Sequence, residues 1–148
     1  MNLKKALSKE AISLNLKSTD KNGVMEELVD LLVSSSSLRD RKAALKAITE
    51  REKKMSTGMQ NGIAIPHGKS DAVDGLVAAI GISREGIDFE SLDEKPSYIF
   101  VTTLSPVNRT GPHIQFLAEI SRLLNSKEAR ERMLNAKTEE DVLQIIAG

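Results

Sequence analysis

Residues 11–17 read AISLNLK, with apolar Ile12, Leu14 and Leu16 alternating with polar neighbours. That period-two pattern predicts a short strand. The period then lengthens. Val24, Leu28, Leu31 and Leu32 fall on one stripe and predict a helix over about 21–34, with Asp20 as its N-cap. Leu38, Leu45 and Ile48 predict a second helix over about 38–53. Ser37 and Asp40 there resemble a capping box, and Arg51, Lys53 and Lys54 complement the dipole in the last turn.

MSTGMQNG, residues 55–62, is a loop by composition. Short apolar runs follow: GIAI at 62–65, GLVAAIGIS at 75–83 and SYIFVTTL at 97–104. All three predict strands, and the β-branched and aromatic content of the last suits a pleated, buried surface. Between the second and third runs, residues 84–96 form a charged turn region with a short extended piece, GIDF. SPVNRTGP is a loop, and helices are expected over 112–125, 127–136 and 139–147, with Ser126 and Thr138 as N-caps of the last two.

The order is strand, two helices, strands, three helices. Helices on both sides of one sheet segment can cover both its faces, so the expected fold is α/β, a three-layer α/β/α sandwich with a mixed β-sheet. Regular βα alternation is missing, and so are the glycine-rich dinucleotide and Walker sequences.

Composition narrows the function classes. The 148 residues carry no repeat or linker, which predicts a single domain over 1–148. Cysteine is absent, which excludes disulfides, a thiolate nucleophile and Cys-based zinc. Lys+Arg and Asp+Glu are both 21, so no cationic surplus favours nucleic acid, and aromatics at 3% leave few platforms for base stacking. The N-terminal stretch has no signal-like apolar run, and no stretch approaches the ~20 residues of a membrane span. The expected location is cytoplasmic.

Two histidines carry the candidate chemistry. His67 ends the GIAI strand between Pro66, which fixes its own φ, and Gly68, which lets another group approach closely. On its own the triplet reads as a turn histidine at a strand end. His113 follows Thr110, Gly111 and Pro112 and is expected in the first turn of a helix. Free N–H groups and the positive dipole end attract anions there and disfavour imidazolium. Arg51, in the last turn of the second helix, is either a phosphate-binding fork or a cap for helix-end carbonyls. A neutral nucleophilic imidazole, an arginine and a helix N-terminus together suit a phosphoryl group. A zinc site lacks ligands, and no nucleophile elbow supports a serine hydrolase.

The run EREKKMSTGMQNGIAIPHGKSD, residues 50–71, together with GPHIQFLAEISRLL and the final TEEDVLQII, resembles the type-2 enzyme IIA domains of the sugar phosphotransferase system. These form the fructose–mannitol family with its nitrogen-regulatory branch, and the resemblance covers essentially the whole chain. It implies a phosphohistidine carrier with no cofactor and no metal. His67 would accept phosphoryl on Nε2 from the carrier protein HPr and pass it to a cysteine of a IIB domain. Arg51 would neutralise the phosphoryl oxygens, His113 would hydrogen-bond nearby, and Thr57, Asn61 and Gly68 would line the site. Met55, Met59 and Ile63 are candidates for an apolar rim that meets partners, with core packing the alternative for Met59 and Ile63. Asn61 stands where many members carry Glu and where the nitrogen-regulatory branch often carries Asn. The overall wording of the sequence is nearer the fructose-type domains. Contact with the membrane would be indirect, through the permease. The alternatives are a regulatory protein whose phosphorylation state controls a partner, and a silent scaffold of the same fold.

Overall fold

The computed structural model describes residues 3–35 and 38–147. Two short 3-10 turns, Leu3–Ala6 and Lys9–Ala11, lead into β1 (Ile12–Ser13), α1 (Lys21–Ser35) and α2 (Arg41–Lys54). Strands β2 (Ile63–Ala64), β3 (His67–Lys69), β4 (Val77–Ile87) and β5 (Ser97–Ser105) follow, then α3 (Thr110–Leu124), α4 (Lys127–Leu134) and α5 (Glu139–Ala147).

The sheet runs β1-β4-β5-β2, with β3 also on β5. It is mixed: β4 and β5 are antiparallel, whereas β1 lies parallel to β4 and both β2 and β3 lie parallel to β5. Ala64 sits opposite Phe100 and His67 opposite Thr103, so β2 and β3 keep one register along β5. They are two pieces of one line, interrupted at Ile65-Pro66.

Strand alternation sorts the core into two halves. Ala78, Ile80 and Ile82 of β4 and Ile99 and Val101 of β5 pack with Phe116, Ile120, Met133, Val142 and Ile146 of α3, α4 and α5. The intervening Ala79, Phe100 and Leu104 pack with Val24, Leu28, Leu32, Ala44 and Ile48 of α1 and α2. Helices therefore cover both faces of the sheet, which is the expected three-layer sandwich.

The departures from the sequence reading have local causes. The first strand shortens to two residues, because Lys9–Ala11 is a 3-10 turn and only Ile12 and Ser13 pair with β4. Helix α2 starts at Arg41, with Asp40 as N-cap accepting from the Ala43 N–H at 3.0 Å. The expected cap, Ser37, lies outside the described residues. Strand β4 continues to Ile87 through a register shift after Ile82, absorbing residues expected in a turn. Helix α3 begins at Thr110 and not at Pro112. The caps Ser126 and Thr138 accept from the N–H groups of Ala129 and Asp141. Asp20 accepts from the Gly23 N–H at 2.7 Å.

Candidate functional site

The break between β2 and β3 sets the pose of His67. Pro66 has no N–H to give the ladder, and the Ile65 N–H turns away to the Thr57 carbonyl at 3.2 Å. The Thr102 hydroxyl donates to the Pro66 carbonyl at 2.7 Å. The freed Ile65 carbonyl accepts from His67 Nδ1 at 2.8 Å. A carbonyl can only accept, so Nδ1 carries the proton and Nε2 of the neutral ring keeps its lone pair. Burial leads in pushing the His67 pKa below its ordinary value, the Ile65 hydrogen bond opposes it, and Arg51 presses it down while Glu52 lifts it.

Gly68 lets β3 reach α2. A Cβ there would stand 3.1 Å from the Ala47 backbone carbon and oxygen. The group that approaches closely is thus the helix backbone, which brings the C-terminal end of α2 beside His67. Arg51 on that helix donates through Nη1 to the Met55 carbonyl at 3.0 Å. It caps the helix end, as one sequence reading expected, and Arg51 also lines the cavity at His67, close enough for its charge to press on the ring.

His113 is the fourth residue of α3 and only 4% exposed. Its ring lies 5.5 Å from that of His67, tilted by 54°. Nδ1 shares a 2.8 Å hydrogen bond with the hydroxyl of buried Ser105. Its pKa is lowered to about 4, first by burial and then by His67 and Lys69. The neutral form is the one expected from the sequence, and burial is its largest cause. Lys69 donates to the Thr110 hydroxyl at 2.7 Å across the mouth of α3.

A cavity of about 480 Å³ joins these groups, lined by Arg51, Lys54, His67, Gly68, Lys69 and His113 among others. Its apolar wall is Ile114 and Leu117 of α3, and Ile114 is 59% exposed. Among the described residues, no three His, Asp or Glu side chains are grouped to hold a metal ion.

Thr57 and Asn61, expected to line the same site, do not line this cavity. Thr57 is buried, and its N–H and hydroxyl both go to Glu52. Asn61 and Gly62 have φ of 66° and 77°, the left-handed backbone of a two-residue hairpin turn, for which Asn-Gly is the favoured pair. The bridge between Gly58 and Ala64 closes that hairpin. The expected rim of Met55, Met59 and Ile63 lines a second cavity, shared with Leu92 and Leu124; Ile63 itself is buried in the core.

The sequence reading missed Ser105, Lys69 and Glu52. Lys69 had a signal, since i and i+2 on a strand share a face. Glu52 had one too: it follows Ile48 by four residues, on the buried stripe of α2.

The sequence matches the family described as "Phosphoenolpyruvate-dependent sugar phosphotransferase system, EIIA 2" over residues 5–148. A fructose-specific EIIA component of the phosphotransferase system from Haloferax volcanii is 40% identical over 93% of this chain and 90% of its own length. The chain spans 23% of a longer fructose-specific EIIABC component from Bacillus subtilis, at 36% identity over 99% of this chain. The crystal structure of nitrogen regulatory protein IIA-Ntr from Neisseria meningitidis superposes with a TM-score of 0.89 at 29% identity, covering 97% of this chain and 98% of that one. Among the described residues, no helix is long and apolar enough to cross a membrane.

Proposed function

The chain belongs to the EIIA 2 family of the phosphoenolpyruvate-dependent sugar phosphotransferase system, and from that membership we propose that residues 1–148 form one IIA domain that carries phosphoryl on His67. The observation that carries this reading is the hydrogen bond from His67 Nδ1–H to the Ile65 carbonyl, which leaves Nε2 unprotonated in an open cavity beside a guanidinium.

Phosphoryl transfer needs positioning and charge stabilisation more than covalent help. The Nε2 lone pair forms a bond to phosphorus. The N–P bond of a donor phosphohistidine breaks, and its electron pair stays on the donor ring. Arg51 takes up charge on the phosphoryl oxygens. In the tautomer whose Nδ1 accepts from the Ser105 hydroxyl, His113 presents Nε2–H as a neutral donor to the same oxygens. In the return step a cysteine thiolate forms the S–P bond and the N–P electrons go back to Nε2. The donor is phospho-HPr and the acceptor a IIB domain, both in the cytoplasm. Similarity to the fructose-specific EIIA component favours a fructose-type IIB. The likeness to IIA-Ntr supports a second reading, in which the phosphorylation state of the same site controls binding to another protein.

The test is incubation with phosphoenolpyruvate, enzyme I and HPr. Acid-labile, base-stable phosphate is expected on the wild type and none on His67→Ala. Equal labelling of both proteins overturns the assignment. Efficient onward transfer to a fructose IIB domain favours transport, and labelling without such transfer favours regulation.

A further inference from the structure

Resting on the reading of His67 as the acceptor, we propose that Glu52 is a positioning residue for it, acting through Thr57 and Ile65 to fix the ring's tautomer and to balance the positive charge the ring gains on phosphorylation. Glu52 is a carboxylate on the inner face of α2, its side chain only 2% exposed. Burying such a charge is costly unless it is fully paired. Here it is: Lys21 of α1 stands 2.8 Å from Oε2, the Thr57 N–H donates to Oε2 at 2.9 Å, and the Thr57 hydroxyl donates to Oε1 at 2.5 Å.

The hydrogen bonds continue from there. The Thr57 carbonyl accepts from the Ile65 N–H at 3.2 Å, and the Ile65 carbonyl accepts from His67 Nδ1–H at 2.8 Å. Each link passes through a saturated Cα, so what Glu52 supplies is a fixed backbone geometry at the Ile65 carbonyl and the through-space field of a buried carboxylate. Both support the proton on Nδ1 without Glu52 touching the ring. Lys21 in turn is held over the Phe89 ring, 4.7 Å from its centroid, and 3.1 Å from Glu90. The whole assembly ties α1, α2 and the loop before β2 together behind the site.

Charge gives the chain a chemical use. The groups facing His67 are Glu50, Arg51 and Lys54 from α2, Lys69 on β3 and His113 on α3, with Glu52 acting from behind. Bond formation at Nε2 with Nδ1 still protonated leaves the ring cationic until the phosphoryl departs or the proton leaves. Arg51 serves the phosphoryl oxygens but opposes that cation, whereas Glu52 favours it. The two adjacent residues of one helix thus divide the charges of the phosphorylated ring.

The experiment is long-range 1H–15N NMR of the full chain across pH 5–8, in the wild type, Glu52→Gln, Thr57→Val and Thr57→Ser, with labelling rates from phosphorylated HPr. The wild type is expected as the Nδ1–H tautomer. Glu52→Gln should titrate His67 at lower pH, mix the tautomers and slow labelling roughly tenfold, the low end of what loss of an outer partner costs at a metal-bound histidine. A folded Glu52→Gln protein with the wild-type midpoint and tautomer overturns the proposal. If that variant does not fold, Thr57→Val must move His67 the same way by a smaller amount and Thr57→Ser must restore it; a wild-type midpoint in Thr57→Val overturns it as well. Absence of labelling in the wild type would instead remove the acceptor role, while the NMR readout of the chain from Glu52 would stand or fall separately.

Discussion

Acidification should test how the second imidazole is housed. His113 is held to a pKa of about 4 in the folded chain against an ordinary 6.5. A folded value below the unfolded one means that the unfolded chain binds more protons between the two, so stability is full above pH 6.5 and is lost as pH falls toward 4. At about 1.4 kcal/mol per pH unit the drop from 6.5 to about 4 amounts to about 3 kcal/mol in all. At pH 5 the unfolded imidazole is nearly all protonated and the folded one hardly at all, which makes the loss between pH 7 and pH 5 about 2 kcal/mol. His67, also lowered, adds to the fall in the same direction. The assay is urea unfolding at pH 7 and pH 5 in the wild type and in His113→Asn, whose amide can keep a hydrogen bond to Ser105. The asparagine protein should lose about 2 kcal/mol less between the two pH values than the wild type. Ring NMR should find His113 still neutral at pH 5. Titration of His113 near 6.5, or the same pH 7 to pH 5 loss in both proteins, would refute the reasoning.

Arg51→Ala should slow labelling of His67 by roughly 10²-fold, the scale of losing one preorganised donor, and Arg51→Lys by less; equal rates in all three proteins, measured as initial rates with phosphorylated HPr, would detach Arg51 from the chemistry. Gly68→Ala puts a methyl 3.1 Å from the Ala47 backbone, so α2 must move; the expected loss is about 1–3 kcal/mol in urea unfolding. Ser105→Ala strips a buried imidazole of its partner and should cost about 1–3 kcal/mol, with slower labelling that still depends on His67. Asn61→Gly should hold stability within a few tenths of a kcal/mol and leave labelling unchanged, whereas Asn61→Ala, forced into left-handed backbone, should lose about 1 kcal/mol.

The layers and the order of elements were legible because both periods were strong. Leu28, Leu31 and Leu32 turn once per helical repeat, and the runs at 75–83 and 97–104 are apolar on both faces, as a sheet covered by helices on both sides requires. Arg51, His67 and His113 were singled out, and the structure brings all three to one cavity. Proximity in sequence misled at Thr57 and Asn61. A hairpin stands between them and His67, and its turn consumes the Asn-Gly pair for backbone reasons alone. Ser105 could not be found from its neighbours, because its partner sits across the loop that joins β5 to α3. The short 3-10 turns before β1 were missed because one hydrogen-bonded turn carries no periodicity of its own.

The ring of His67 is aimed by the peptide oxygen of Ile65, a group every residue type possesses. Its bearing therefore uses no side-chain chemistry at position 65, where the buried Ile65 side chain serves packing alone, provided that the neighbouring proline keeps the ladder open. Surrounding surfaces can diversify toward new clients while the reactive nitrogen continues to point outward. Beyond the supporting Glu52 and Thr57, it takes a change to the main chain itself, such as an amide-to-ester replacement or loss of the proline, to set the imidazole adrift.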